Sequence, residues 1–158
     1  MTSVSGPAFR HRYRCSIRWS DMDVFGHVNN SVFLTYLEDA RIDLLARRAC
    51  RAGVATFVEG CVVVRHEIDY KLPVEWRSGA VTVEVRVAEI KDVSFNLAYE
   101  VKNDRNLYAK ANSIIVPYSL QDKSPRRLTE AERSFLARFK VNPVNERFGS
   151  GSASPEGH

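Results

Sequence analysis

Residues 18–41 read RWSDMDVFGHVNNSVFLTYLEDAR. The first half of this stretch is rich in turn and cap formers: Asp21, Asp23, Gly26, Asn29 and Asn30. Asp and Asn bond their own backbone, and glycine accepts conformations other residues avoid. The second half changes period. Val32, Phe33, Tyr36, Leu37, Ala40, Leu44 and Leu45 recur at steps of three and four, and Ile42 widens the stripe. That spacing predicts an amphipathic helix of about five turns from Ser31 to about Cys50. Asn29 or Asn30 supplies its N-cap, and Arg47, Arg48 and Arg51 suit the negative end of its dipole.

Working outward, Phe9–Trp19 alternates, with Tyr13, Cys15, Ile17 and Trp19 on one face of a half-buried strand. Beyond the helix the chain becomes strand-rich. Cys61–Tyr70 is one strand, Ala80–Ile90 a second with clean period two, and Val93–Lys102 a third behind a tight Lys91-Asp92 turn. Leu107–Tyr118 is the last long strand. A basic segment then leads to a helix capped by Thr129 with Glu132 three residues on, with Phe135, Leu136 and Phe139 on its apolar side. The order predicts an α+β domain over residues 9–141: an antiparallel sheet of about five strands wrapped around one long central helix, plus a C-terminal helix. Residues 1–8 form a flexible arm, and residues 142–158, rich in Gly, Ser and Pro, a disordered tail. The edge strand left over in such a sheet invites a second copy.

Composition excludes several function classes. A chain of 158 residues, 44% hydrophobic and 27% charged, is one ordinary globular domain. Its net charge of +4 lacks the dense basic run of a nucleic-acid binder. The DKSPRR segment, 122–127, is short and has no interleaved aromatics. Three cysteines without CxxC spacing argue for reduced thiols, hence a cytoplasmic protein, rather than a disulfide framework or zinc cluster. No apolar signal core occupies the first ten residues, and no run approaches the roughly 20 residues of a membrane span. There is no P-loop, dinucleotide fingerprint or nucleophile elbow. His66-Glu67 lacks the second histidine of a zinc motif, so neither metal nor cofactor is expected.

The chemistry concentrates between Asp21 and Asn30. A helix N-terminus presents unpaired N–H groups and partial positive charge, suited to polarising a carbonyl oxygen. A carboxylate beside it can attack that carbonyl or activate water. The same residue types also make ordinary turns and caps, and spacing alone leaves both readings open.

The string Asp21-x-Asp23-x-x-Gly26-His27-Val28-Asn29-Asn30-x-x-Phe33-x-x-Tyr36-x-Glu38-x-x-Arg41 resembles the signature of the hot-dog-fold acyl-CoA thioesterases of the 4-hydroxybenzoyl-CoA thioesterase-like branch. IDYKLPVEWRSG at 68–79, VEVRVAEI at 83–90 and SFNLAYEV at 94–101 are similar to that family at matching places. The resemblance implies a sheet wrapped around its helix and hydrolysis of acyl-CoA to free acid and CoA. It implies that Asp23 is the nucleophile or general base, and that N–H groups around Val28, Asn29 and Asn30 form the oxyanion site. Gly26 and His27 complete the loop. His27 either contacts the thioester and orients Asp23, or caps the helix. Asp21 is expected to hold the loop, and Glu38 and Arg41 to pair along the helix.

For the substrate, Phe33 and Tyr36 are core or acyl-pocket lining, and Phe95 a wall of an acyl groove between the helix stripe and strand Val93–Val101. Lys91, Lys110, Arg126 and Arg127 are candidates for the coenzyme A phosphates. The resemblance further implies a homodimer or homotetramer with the ligand along the subunit interface. The competing reading is a non-catalytic acyl-CoA-binding or regulatory hot-dog domain, which would need no carboxylate at Asp23.

Overall fold

The computed structural model describes residues 9–141. The expected arm at 1–8 and tail at 142–158 lie outside them. The strands are β1 (His11–Ser16), β2 (Cys61–Tyr70), β3 (Ala80–Ile90), β4 (Phe95–Lys102), β5 (Leu107–Ser119) and the short β6 (Ser124–Pro125). They form an antiparallel sheet in the order β1-β3-β4-β5-β2, with β6 added beside β5. The long helix starts as α1 (Asn30–Ile42), widens through a π-helical segment (Asp43–Arg48) and ends as α2 (Ala49–Arg51). A C-terminal helix, α3 (Glu130–Ala137), carries the expected capping box: Thr129 Oγ1 accepts from the Glu132 N–H, and the Glu132 carboxylate accepts from the Thr129 N–H.

This is the hot-dog fold, and the alternation in the strands explains it. Val81, Val83, Val85 and Val87 of β3 and Phe95, Leu97, Tyr99 and Val101 of β4 are buried. They form one core with Phe33, Leu37, Ala40 and Leu44 of the helix. Each such side chain contributes about 1.5–3 kcal/mol by leaving water. After Leu44 and Leu45 the next buried position is Ala49. An uninterrupted α-helix would have turned Arg48, four residues after Leu44, onto the apolar stripe. The π-helical turn moves it aside, where its guanidinium covers the Phe139 ring at 4.8 Å and its Nη1 donates to His11 Nδ1 at 3.2 Å.

Two expectations are corrected. The first strand ends at Ser16, and Trp19 is 73% exposed rather than part of a buried face. The cause is Asp21, whose carboxylate accepts the Arg18 N–H at 2.9 Å and turns Trp19–Asp21 into a 3-10 helix. Glu38 and Arg41 form no ion pair among the described residues, and Arg41 Nη1 is buried without a hydrogen-bond partner. Elsewhere Gly60 is required by close approach: its φ is 151°, and a Cβ there would stand 2.5 Å from the Tyr118 carbonyl oxygen.

Candidate active site

The loop between β1 and α1 is built around two carboxylates with opposite fates. Asp21 is 1% exposed, and its side chain is fully engaged. It accepts from the Arg18 N–H, from Arg18 Nε at 3.1 Å and from the Tyr36 hydroxyl at 2.7 Å. Burial alone would raise its carboxyl, but the Arg18 N–H, the Tyr36 hydroxyl and the Arg18 charge together hold it below the ordinary range. Its carbonyl accepts the Asn29 N–H at 2.8 Å, tying the helix start to the loop. Asp21 therefore holds the loop, as expected.

Asp23 is half-spent. Its Oδ1 accepts the N–H groups of Phe25 at 2.9 Å and His27 at 3.2 Å. The loop closes behind it through the Asp23 N–H to the His27 carbonyl at 2.7 Å, with Gly26 at φ 77°. Oδ2 makes no hydrogen bond among the described residues. The result is a partly exposed carboxylate with one oxygen fixed and one available.

The helix start distinguishes the three expected oxyanion donors. The Val28 N–H donates to the Val74 carbonyl at 2.8 Å, and that of Asn29 to Asp21. Asn29 caps the helix, its Oδ1 accepting the Ser31 N–H at 3.0 Å. The Asn30 N–H is uncommitted among the described residues. Tyr70, at the end of β2, donates its hydroxyl to the Asn30 carbonyl at 2.9 Å and meets the Phe33 ring edge-on.

Asp23 stands where two clefts meet. One, of about 410 Å³, is lined by Asp23, His27, Val28, Asn30, Phe33, Tyr70, Lys71, Leu72 and Pro73. The other, of about 660 Å³, is lined by Trp19, Met22, Asp23, Val24, Gly26, Asn29 and Trp76. Gly26, His27, Val28, Asn29, Asn30 and Phe33 are thus brought together with Asp23. His27 meets Asp23 through its backbone N–H, not through its imidazole, which bonds no described residue.

The remaining expected residues are elsewhere. Tyr36 is buried with its hydroxyl given to Asp21, and Phe95 is in the core against Phe57 at 5.8 Å. Neither lines a cleft at Asp23. Lys91 occupies the β3–β4 turn, at the end of β3 remote from Gly79, whose carbonyl accepts the Ile17 N–H beside the Asp23 loop. Along an 11-residue strand that separation is about 30 Å. Arg126 and Arg127 lie at the same remote end, where the Leu128 N–H bonds the Asp92 carbonyl. Arg126 is committed to the buried Glu132 at 2.9 Å and to the Thr56 carbonyl at 3.1 Å. Lys110 is on β5, opposite Glu100 and Asp69. The reading of the sequence missed Lys71, Trp19 and Trp76 as cleft residues; the PVEW turn, which brings Val74 and Trp76 to the loop, carries no periodic signal.

Residues 17–143 match the family model of the thioesterase-like superfamily. The chain belongs to that superfamily. Among solved structures, this thioesterase-like chain is similar to a thioesterase from Thermus thermophilus determined with coenzyme A and zinc: 31% identity, TM-score 0.67, covering 84% of this chain and 95% of that one. It has the fold of YbaW, a probable thioesterase from Escherichia coli, at 23% identity, TM-score 0.69, covering 83% and 99%. It also has the fold of Slr0204, a 1,4-dihydroxy-2-naphthoyl-CoA thioesterase from Synechocystis, at 17% identity, TM-score 0.68, covering 82% and 96%. No match exists among the curated proteins. Family and fold make this chain a thioester hydrolase. No helix among the described residues is long and apolar enough to cross a membrane.

Proposed function

We propose that this thioesterase hydrolyses acyl-CoA to free acid and CoA at Asp23. The observation that carries the reading is the asymmetry of the Asp23 carboxylate: Oδ1 is fixed by two N–H groups, and Oδ2 is uncommitted. Asn30 lines the same cleft at the positive end of α1, and its N–H, uncommitted among the described residues, donates to the thioester oxygen as charge develops there.

Two balanced routes use Oδ2. As nucleophile it forms a mixed anhydride and expels the CoA thiolate, which takes up a proton; water then opens the anhydride to the free acid and restores Asp23. As general base it takes a proton from water as that water attacks, and returns it to the departing sulfur. Single turnover separates them, because only the nucleophile route passes through a covalent acyl-Asp23 species that a nucleophile such as hydroxylamine can trap. Only that route can leave ¹⁸O from labelled water in Asp23, by attack of water on the aspartyl carbon. The CoA-bound Thermus relative supports coenzyme A as the thiol.

The working unit in this reading is a homodimer joined along β2. That strand is an edge of the sheet, ten residues long, with Val62 and Val64 exposed. Such an edge offers a row of unpaired backbone groups to a second copy. Antiparallel pairing sets the Cys61 end of one strand beside the Tyr70 end of the other. Each Asp23 site then faces the basic end of its partner, where Arg127 and Lys91 are exposed. In this arrangement the cations remote from Asp23 within one chain reach the phosphates of coenzyme A across the interface.

The test is thiol release from an acyl-CoA panel. Asp23→Asn is expected to lower kcat by at least about a hundredfold with its melting temperature kept. Full activity in that variant refutes the mechanism. No turnover of any acyl-CoA, together with a melting temperature raised by CoA esters, favours a non-catalytic binding domain.

A further inference from the structure

We infer that the acyl group lies in the cleft walled by Trp19 and Trp76, and that this cleft favours planar, ring-bearing acyl groups over alkyl chains. The inference rests on Asp23 acting at the thioester. A thioester carbonyl held between Asp23 Oδ2 and the Asn30 N–H sends its two substituents away from each other. Two clefts leave Asp23, so one takes each arm.

Charge assigns them. The smaller cleft holds Lys71, whose ammonium makes no ion pair among the described residues, together with Tyr70 and the His27 imidazole. It opens at the Tyr70 end of β2, the edge proposed to meet the second copy's basic end. That is the side for a polar, phosphorylated thiol. The larger cleft is lined by no Lys or Arg. Beside Asp23, Gly26 and Asn29, its apolar walls are Trp19, Met22, Val24 and Trp76, and it stands beside β1 and β3, at the opposite edge of the sheet. A dimer along β2 leaves it open.

Its chemistry points to a ring. Trp19 is 73% and Trp76 46% exposed, and their rings meet edge to face at 5.4 Å, making a right-angled aromatic wall. The neighbouring Val24 and Phe25 are almost fully exposed. So much apolar surface around one carboxylate marks a binding site rather than chance exposure. A rigid ring also loses less conformational freedom on binding than a flexible alkyl chain. Two perpendicular indoles offer a flat acyl group one face to stack on and one edge to meet. The groove expected between the helix and β4 is filled by the core itself, with Leu37, Leu44, Phe95 and Leu97 fully buried.

The experiment compares kcat/KM for benzoyl-CoA and phenylacetyl-CoA with that for butanoyl-CoA and octanoyl-CoA. The variants are Trp76→Ala, Trp76→Phe, Trp19→Ala and Asp23→Asn. The wild type is expected to prefer the aryl substrates about tenfold, on the scale of one aromatic contact. Trp76→Ala should reduce that preference at least about fivefold, mainly through KM, and Trp76→Phe should restore most of it. Trp19→Ala, read in the same way, guards against a misfolded Trp76 variant. The thermal shift given by free CoA should be the same in Trp76→Ala and wild type, because the thiol arm lies in the other cleft. Equal losses on aryl and alkyl substrates, or an unchanged preference in both Trp variants, overturn the inference. Full activity in Asp23→Asn overturns instead the reading on which it rests.

Discussion

Tyr36→Phe removes one oxygen and tests how the loop between β1 and α1 is held. The Tyr36 hydroxyl is 2.7 Å from Asp21 Oδ2, and both residues are buried, at 2% and 1% exposure. A hydrogen bond to a charged group contributes about 1.5–3 kcal/mol, and loss here leaves a buried carboxylate short of a donor. For a domain of this size that is a fall in melting temperature of about 5–12 °C at pH 7. The pH dependence follows from the sign of the Asp21 shift. Burial pushes the carboxyl up, but the Arg18 N–H, the Tyr36 hydroxyl and the Arg18 charge outweigh it, so the folded value is below the unfolded one. The stability this carries is present above the ordinary aspartate value near 3.9 and is lost as pH falls through the folded value. The gap between wild type and Tyr36→Phe should therefore be widest near neutrality and narrow on acidification. Calorimetry at several pH values, with thiol release alongside, is the assay. Because the Asp21 carbonyl also holds the Asn29 N–H, kcat should fall with stability. A melting temperature within about 1 °C of wild type, or a gap that does not narrow in acid, would refute this account of the loop.

Three further perturbations test the scaffold. Burial holds the His11 imidazole below its ordinary value; Asp43, 3.0 Å from Nε2, opposes that and Arg48 adds to it. The unfolded chain thus takes the proton first, and stability present above about pH 6.5 should be lost below it, with the slope flattened in His11→Gln, as calorimetry will show. Glu132→Ala removes the N3 half of the α3 cap and the partner of Arg126; a loss of about 3 kcal/mol is expected from the urea midpoint. Gly60→Ala should cost about 2 kcal/mol or more on the same measure, since its Cβ meets the Tyr118 carbonyl in a backbone region L-residues avoid.

How far these features can be read from the chain depends on whether they are periodic. The strands announce themselves through alternation: Val81, Val83, Val85 and Val87 are buried as the pattern requires. The α3 cap is visible because Thr129 and Glu132 have a fixed spacing. Trp19 misleads, since it continues the alternation of β1 while a non-periodic side-chain bond from Asp21 ends the strand before it. Within the loop, residue types indicate where chemistry sits. They do not tell which N–H groups are already spent, because Val74, the acceptor for Val28, is far away in the chain. Distance from the loop is illegible for the same reason. Lys91, Arg126 and Arg127 look available as charges, and only strand length and direction place them at the remote end.

The wide turn at Asp43–Arg48 bears on how the helix tolerates changes in length. With five steps instead of four between Leu44 and Ala49, it behaves as a splice that absorbs one surplus residue without rotating the buried positions on either side. In genetic terms it is where a codon can be gained or lost at least expense to the core. An uninterrupted helix would pass the same indel to every buried residue downstream. Deleting Arg47 should convert the splice to regular helix and keep the Ala49 end in register, whereas deleting Leu34, upstream of it, should rotate Phe33 by about 100° relative to Ala40 and Leu44.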